Sequence, residues 1–109
     1  MEFILCKCGP LGLDIHIPLE DIETEEVAIT KAHETALHTK QGVLVALFTR
    51  DGNPLVGWKV LKDNKLRREP LDTLKNACGI GKGSYEYIKR QADEMRRARE
   101  KKQKETEGS

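Results

Sequence analysis

Residues 43–48 read VLVALF, six apolar residues in a row, and this stretch decides the fold. The run is short for a helix, and Val and Phe favour extended backbone, so it predicts a central strand covered on both faces. Residues 51–54, DGNP, are a strong turn signal. Residues 55–61 then alternate, which predicts a second strand of an antiparallel sheet with Val56, Trp58 and Val60 on one face and Gly57 and Lys59 on the other.

Two further strands are predicted near the N-terminus. Residues 3–5 are a short apolar run, and residues 11–17 alternate apolar and polar side chains with the period of a half-buried strand. Gly9 and Pro10 lie between them, so the two strands are expected to pair as a hairpin, and Pro18 is expected to end the second.

Three helices are predicted as well. Residues 20–40 carry acids early and lysines late, which suits a helix dipole. Their apolar stripe is expected to be Ile22, Ile29, Ala32, Ala36 and Leu37. Residues 71–78 predict a short helix, and the last helix follows a glycine-rich segment. That helix is expected to be charged and partly free beyond an apolar seam of Tyr85, Ile88, Ala92 and Met95.

The chain of 109 residues is therefore expected to be α+β, with a small antiparallel sheet packed on one long helix and a C-terminal helical hairpin after it. Residues 1–68 are expected to form the α+β core in the order ββαββ, with a short extra strand at residues 66–68. Residues 69–104 are expected to form the helical hairpin and basic helix, and residues 105–109 a disordered tail.

Composition narrows the class of protein. Hydrophobic residues make up 38% of the chain and charged residues 34%, and no apolar run approaches the roughly 18–20 residues that a membrane span needs. The N-terminal segment lacks the basic lead of a signal peptide. We therefore expect a cytoplasmic protein without membrane contact, whose three cysteines are reduced.

The net charge of +1 conceals a split along the chain. Residues 1–58 carry four basic and nine acidic side chains, whereas residues 59–104 carry fifteen basic and seven acidic ones. Such asymmetry indicates an anionic partner for the basic half. Attraction between the two halves, within one chain or across an oligomer, is the alternative.

Gly79, Gly81 and Gly83 fall within five residues ahead of the last predicted helix. A glycine-rich turn that leads into a helix presents free N–H groups, and the helix dipole there favours an anion. The spacing matches neither Walker A, because Lys82 is followed by glycine, nor the Rossmann fingerprint, because no strand immediately precedes it. Glycines that only supply the positive φ of a turn between helices are the alternative to a phosphate contact.

Several positions in residues 71–90 match one known pattern. Leu74 lies in the first helix, Gly79-Ile80-Gly81 read Gly-hydrophobic-Gly, and Ile88 lies in the second helix. This arrangement resembles the helix-hairpin-helix family of DNA-backbone-binding motifs. The resemblance implies a grip on one DNA phosphate by backbone amides of Gly81, Lys82, Gly83 and Ser84.

The last helix adds basic side chains that can follow a phosphate backbone, which gives affinity without sequence specificity and a steep salt dependence. Acidic residues interrupt the run, so an ordinary solvated helix face is the alternative. The residues expected to contact phosphate or nucleic acid are Gly79, Gly81, Lys82, Gly83, Ser84, Lys89, Arg90, Arg96 and Arg97.

Cysteine and histidine do not form a recognisable metal motif. Cys6 and Cys8 with His33 and His38 would supply four ligands. Structural zinc sites, however, favour two to four residues between paired cysteines, and helical histidine pairs favour a separation of four. Scattered cysteine and histidine is the preferred interpretation, and neither a metal nor another cofactor is expected.

No arrangement of nucleophile and base can be identified, so a non-enzymatic protein is expected. The favoured function is a small nucleic-acid-binding accessory protein that contacts backbone phosphates without strong sequence specificity. One alternative is a protein–protein interaction or inhibitor module that oligomerises or captures a partner protein. Another is an oligomeric sponge for a phosphorylated small ligand such as a nucleotide messenger.

Overall fold

A computed structural model describes residues 1–9, 14–78 and 84–107 of the chain. The fold is α+β with a long C-terminal helix, as the sequence predicts. The elements, in chain order, are β1 (Phe3–Cys8), β2 (Asp14–Leu19), α1 (Glu25–Leu37), β3 (Leu44–Thr49), β4 (Pro54–Val60), β5 (Leu66–Arg68), α2 (Leu71–Cys78) and α3 (Ser84–Glu107). A single 3-10 turn at Lys62–Asn64 lies between β4 and β5.

All five strands belong to one sheet in the order β2-β1-β3-β4-β5, and each neighbouring pair is antiparallel. The predicted hairpin of β1 and β2 is confirmed, with Phe3 opposite Leu19 and Cys8 opposite Asp14. Pro18, which was expected to end β2, instead lies inside it opposite Ile4. An edge strand tolerates proline because the missing N–H can be one that would point away from the sheet.

The middle strand, β3, is buried on both faces, as predicted. Val45 and Leu47 pack into a core cluster with α1, whereas Ala46 and Phe48 pack into a second cluster with α2 and α3. All four side chains are at most 1% exposed. Successive side chains of a strand point to opposite faces, so the helices form separate layers on the two sides of the sheet.

Helix α1 contacts the sheet through small side chains. Ala28, Ala32 and Ala36 recur every four residues and are completely buried, which places them on one helix face. Leu37, which was expected in this stripe, is 40% exposed.

Helix α1 begins later than the residues 20–40 predicted from sequence. The Thr24 hydroxyl accepts a hydrogen bond from the Val27 amide and caps the helix. Ahead of the cap, the Ile22 amide donates to the Met1 carbonyl, and Asp21 has a φ of 54°. Asp21 and Ile22 therefore lie outside the helix, and Ile22 is hydrogen-bonded to the first residue of the chain.

Helix α2 is held against the sheet by Leu74, which is completely buried. Gly57 of β4 makes this approach possible, because a Cβ atom at that position would lie 2.5 Å from Leu74 Cδ2 and 3.1 Å from the Val45 carbonyl oxygen. Cys78 follows Leu74 by four residues and so lies on the same helix face, directed to the sheet.

Among the described residues, no helix is both long enough and apolar enough to cross a lipid bilayer.

Replacing Gly57 with alanine tests the contact between β4 and α2. We expect Gly57→Ala to lower the free energy of unfolding by roughly 1–3 kcal/mol, because Leu74 is fully enclosed and cannot move aside freely. In a Leu74→Ala background the same change should cost much less, since the opposing methyl groups are gone. Urea denaturation of the wild type, the two single variants and the double variant measures this coupling. Strictly additive effects would contradict the contact.

Replacing an alanine of α1 tests how closely that helix approaches the sheet. Ala32→Leu adds volume at a completely buried position, so we expect a loss of about 1–3 kcal/mol in the free energy of unfolding. Lys31→Leu, one residue away and exposed, is the matched control and should change stability by less than about 0.5 kcal/mol. Equal effects of the two leucines in thermal denaturation would show that α1 does not pack as described.

Candidate nucleic-acid interface and cysteine cluster

The predicted phosphate-contacting residues divide into two groups. Gly79, Gly81, Lys82 and Gly83 lie outside the described residues, so the glycine segment stays a prediction. Ser84 is the first residue of α3, and the predicted basic side chains Lys89, Arg90, Arg96 and Arg97 all lie on that helix.

The first turns of α3 are anchored in the protein core. Tyr85 and Ile88 are 2% and 5% exposed and pack against Ile4, Ala46 and Phe48 of the sheet. The predicted apolar seam does not extend as far as expected, because Met95 is 61% exposed. A helix of 24 residues spans roughly 36 Å, so only its beginning is covered by the body of the protein.

Arg50 joins the start of α3 to the sheet. It follows β3, and its guanidinium pairs with Glu2 at 3.1 Å and with the Glu86 carboxylate. The same group lies 5.3 Å from the ring centre of Tyr85, a distance suited to a cation–π contact. Arg50 holds the pKa of Glu86 below its ordinary value, which fits a carboxylate that stays ionised in this cluster.

Ion pairs occupy two of the four predicted basic residues of α3. Lys89 Nζ lies 3.2 Å from the Glu20 carboxylate, and Arg96 lies 3.0 Å from Asp93 one turn earlier. The Lys89–Glu20 pair is one contact between the basic and acidic halves of the chain.

A groove of about 610 Å³ runs beside the anchored part of α3. Its charged lining is balanced, with basic Arg50, Lys89, Arg90 and Arg97 and acidic Glu2, Glu86, Asp93 and Glu94. The groove itself is therefore not a basic channel, and a polyanion would find more positive charge further along the helix.

The helix face that is buried at Ile88 and half-buried at Ala92 carries arginines further on. Arg96 follows Ala92 by four residues and Arg99 follows it by seven, so both continue the same face. Arg96, Arg97 and Arg99 are exposed. No core in the described residues covers this helical surface. It therefore faces solvent and is accessible to an external partner.

Three cysteines meet where β1 approaches the end of α2. The Cys8 sulfur lies 3.3 Å from the Cys6 sulfur and 3.0 Å from the Cys78 sulfur. All three Sγ atoms lie within 4.8 Å of one another, and all three cysteines are free thiols. The prediction that the cysteines are scattered is therefore wrong. All three cysteines of the chain meet in this cluster.

Local and long-range structure build the cluster together. Cys6 and Cys8 are two apart in β1 and so point to the same face of the sheet. Leu74 seats α2 on that face and brings Cys78 to them. The sequence shows that Cys6 and Cys8 are two residues apart and that Leu74 and Cys78 are four apart. It does not show that Cys8 and Cys78, which are 70 residues apart, lie in contact.

Hydrogen bonding within the cluster shifts its acidity. The pKa of Cys78 is lowered because Cys6 and Cys8 can both donate S–H groups to its thiolate. The pKa of Cys6 is raised by its hydrogen bonds to Cys78 and Cys8 and by burial. Three thiols this close share their protons, so the first ionisation is eased and the later ones are opposed.

The histidines that were weighed as metal ligands lie away from these cysteines. The His33 ring packs edge-on against Trp58, with 5.3 Å between ring centres, on the α1 side of the sheet. His38 is the C-cap of α1 and is exposed. Among the described residues, the cluster of potential metal ligands is Cys6, Cys8 and Cys78.

Comparison with known proteins identifies no relative: no family model, no curated protein and no solved structure matches the chain.

The Tyr85 hydroxyl offers a test of how α3 is anchored. It is buried and has no partner in good hydrogen-bond geometry within the described residues, although the Glu2 carboxylate lies near enough to raise its pKa. Removing an unsatisfied buried hydroxyl relieves a desolvation cost, so Tyr85→Phe should leave the free energy of unfolding unchanged or raise it by about 1 kcal/mol. Tyr87→Phe, at an exposed hydroxyl that accepts from Gln91, is the control. A marked loss of stability for Tyr85→Phe alone would reveal a hydrogen bond at this position.

The same tyrosine predicts a pH effect. Burial, and then the nearby Glu2 carboxylate, raise the pKa of Tyr85 above its ordinary value. The folded chain keeps this proton at a pH where the unfolded chain loses it. The free energy of unfolding is therefore unaffected by this titration below pH about 10 and falls as pH rises further. In denaturant titrations from pH 8 to 11, Tyr85→Phe should lose stability less steeply than the wild type, and parallel curves would contradict this.

Proposed function

We propose that this protein binds the backbone phosphates of nucleic acid without strong sequence specificity, through α3 and the glycine segment before it. The observation that carries the proposal is the exposed arginine-bearing part of α3, which continues a buried helix face beyond the body of the protein. A helix of this kind gains little from packing within the chain, and its guanidinium groups are suited to phosphate oxygens.

The ion pairs along α3 do not oppose the proposal. The side chains of both pairs are substantially exposed, with 44% and 40% for Lys89 and Glu20 and 68% and 38% for Arg96 and Asp93. Exposed ion pairs are weak and screened by salt. A phosphate, whose binding also releases condensed counterions, can replace a carboxylate at such a site.

The start of α3 supplies the second part of the proposal. Residues 71–78 and 84–107 are both helical, which is the order of helices that the resemblance to helix-hairpin-helix motifs requires. A phosphate at the N-terminus of α3 would meet free amide groups and the positive end of the helix dipole. Arg96 and Arg99, which share one helix face, would then act on neighbouring phosphates, and Arg97 would contribute from the side of the groove that it lines.

Fluorescence anisotropy with labelled duplex and single-stranded DNA at several salt concentrations tests this function. With four or five phosphate contacts, the logarithm of the binding constant should fall with the logarithm of salt concentration at a slope of about −4 on duplex DNA. The absence of binding at low salt would overturn the proposal. A chain that oligomerises or captures a protein but binds no DNA would support an interaction module instead.

Charge reversal locates the interface. The double variant Arg96→Glu with Arg97→Glu should weaken DNA binding at least about tenfold and make the salt slope less steep by roughly 2, or about 0.9 for each lost contact. The matched control is Lys31→Glu with Lys40→Glu, which makes the same charge change on exposed residues elsewhere. Similar losses in both variants would mean that net charge, and not α3, governs binding.

A separate variant tests the glycine segment. Gly81→Asp places a carboxylate where the resemblance implies a phosphate grip, and it should weaken DNA binding while circular dichroism still reports a folded chain. It should also abolish thermal stabilisation by a nucleotide if the protein binds a small phosphorylated ligand in place of DNA.

A further inference from the structure

The three-cysteine cluster has a chemistry that nucleic-acid binding does not use. It lies between β1 and the end of α2, and its members are completely buried (Cys6), half-buried (Cys8) and 3% exposed (Cys78). A free cysteine in a core is usually a small apolar side chain. That role does not require every cysteine of a chain to meet at one point, nor one of them to reach the surface.

We propose that Cys6, Cys8 and Cys78 bind a thiophilic d10 metal ion, Zn(II) or Cu(I), through three thiolates. An ion about 2.3 Å from each sulfur in tetrahedral geometry sets the sulfur atoms roughly 3.8 Å apart. The sulfur of Cys8 lies 3.3 Å from that of Cys6 and 3.0 Å from that of Cys78, and both separations need to widen by less than 1 Å to match, while the third pair lies within 4.8 Å. Soft sulfur ligands select these ions over the hard cations, which prefer oxygen.

The elements that carry the cysteines are well placed for ligation. Cys6 and Cys8 lie on β1, which is paired on both sides, with β2 and with β3. Cys78 is fixed by Leu74 one turn earlier, where α2 packs on Gly57. Ligands on rigid elements bring little ordering cost to metal binding, because their backbone is already in position.

Cys8 gives the site an entrance. It lines a groove of about 540 Å³ that also contains Asp14, Lys59 and Arg67. A metal ion can enter on this side, and a water molecule or the Asp14 carboxylate can complete a four-coordinate Zn(II) site there. Cu(I) is satisfied by the three thiolates alone. Lys59 and Arg67 offset part of the negative charge that three thiolates bring.

Metal binding releases protons from the cysteine thiols. Each thiol that becomes a ligand gives its proton to solvent, so one metal ion releases up to three protons, and neither oxidant nor reductant takes part. The proposal is independent of nucleic-acid binding, since the cysteines are not among the residues assigned to phosphate.

Metal titration of the full chain under anaerobic, reducing conditions tests the site. We expect one Zn(II) to be taken from a chromophoric chelator per chain, or one Cu(I) from a Cu(I)-specific indicator, and the two assays show which ion the site prefers. Co(II) in place of Zn(II) should give a thiolate-to-metal charge-transfer band. Free metal at about 100 times its Kd should raise Tm by roughly 10 °C or more. If the chain binds none of these ions stoichiometrically, the proposal is overturned.

Two substitutions of Cys8 separate ligation from packing. Cys8→Val keeps an apolar side chain and Cys8→Ser keeps a similar size, and both act at a half-buried position where folding should survive. Each should weaken metal binding by more than about 100-fold, because even outer-shell changes cost 10–100-fold. The control is His38→Ala, at an exposed histidine that lies away from the cluster, and it should bind metal as the wild type does.

Alkylation supplies a readout that needs no variant. Bound metal should protect Cys8, the most accessible of the three cysteines, from iodoacetamide, and mass spectrometry of peptides measures this protection. Metal binding that persists in both Cys8 variants, or that leaves alkylation of Cys8 unchanged, would place the metal elsewhere and contradict the proposal.

Discussion

Val45 and Leu47 on one face of β3, and Ala46 and Phe48 on the other, exclude water from both sides of the middle of the sheet. Each face must then be covered by a layer of its own, because apolar surface left in water costs roughly 25 cal/mol per Å². Helix α1 covers one face, and α2 with the first turns of α3 covers the other. The positions of the cysteine cluster and of the exposed part of α3 both follow from this two-sided arrangement.

Local patterns account for most of what sequence could predict. The alternation in β4, the apolar run of β3 and the helical spacing around Leu74 are properties of neighbouring residues, so the order of strands and helices could be predicted. The start of α1 could not, because the backbone of Ile22 bonds to Met1 at the other end of a 21-residue separation. Thr24, a residue type that favours the N-cap position, is the one local signal for where the helix begins, but it does not show that Asp21 and Ile22 leave the helix.

The candidate sites were predictable to a smaller degree. Lys89 and Arg96 could be identified as basic helix residues, but their partners depend on which strand end α3 meets and on the side-chain geometry within the helix. The cysteine cluster depends on a glycine, Gly57, that is close to neither Cys6 nor Cys78 in sequence. Packing of α2 at that glycine decides whether Cys78 reaches β1, and no spacing rule for metal motifs contains such information.

The proposed metal site lies at the end of α2, and the proposed phosphate site lies at the start of α3. Cys78 is the last residue of α2 and Ser84 the first of α3, so five residues separate the proposed metal ligand from the anchored helix. An ion at the cysteines would hold the end of α2 to the sheet, while the Arg50 contacts hold the start of α3. Both ends of the connection would then be fixed before any phosphate arrives.

The two outer strands determine how the sheet behaves toward other chains. β2 carries Pro18 within its length, and β5 is only three residues long and presents Arg67 and Arg68. A proline removes a hydrogen-bond donor from the rim, and a short arginine-bearing strand offers an incoming strand little to pair with. Ile15 is the exception, since it is 56% exposed on β2. Addition of a foreign strand is therefore disfavoured at both edges of the sheet, and among the described residues of these two strands Ile15 is the exposed large apolar side chain.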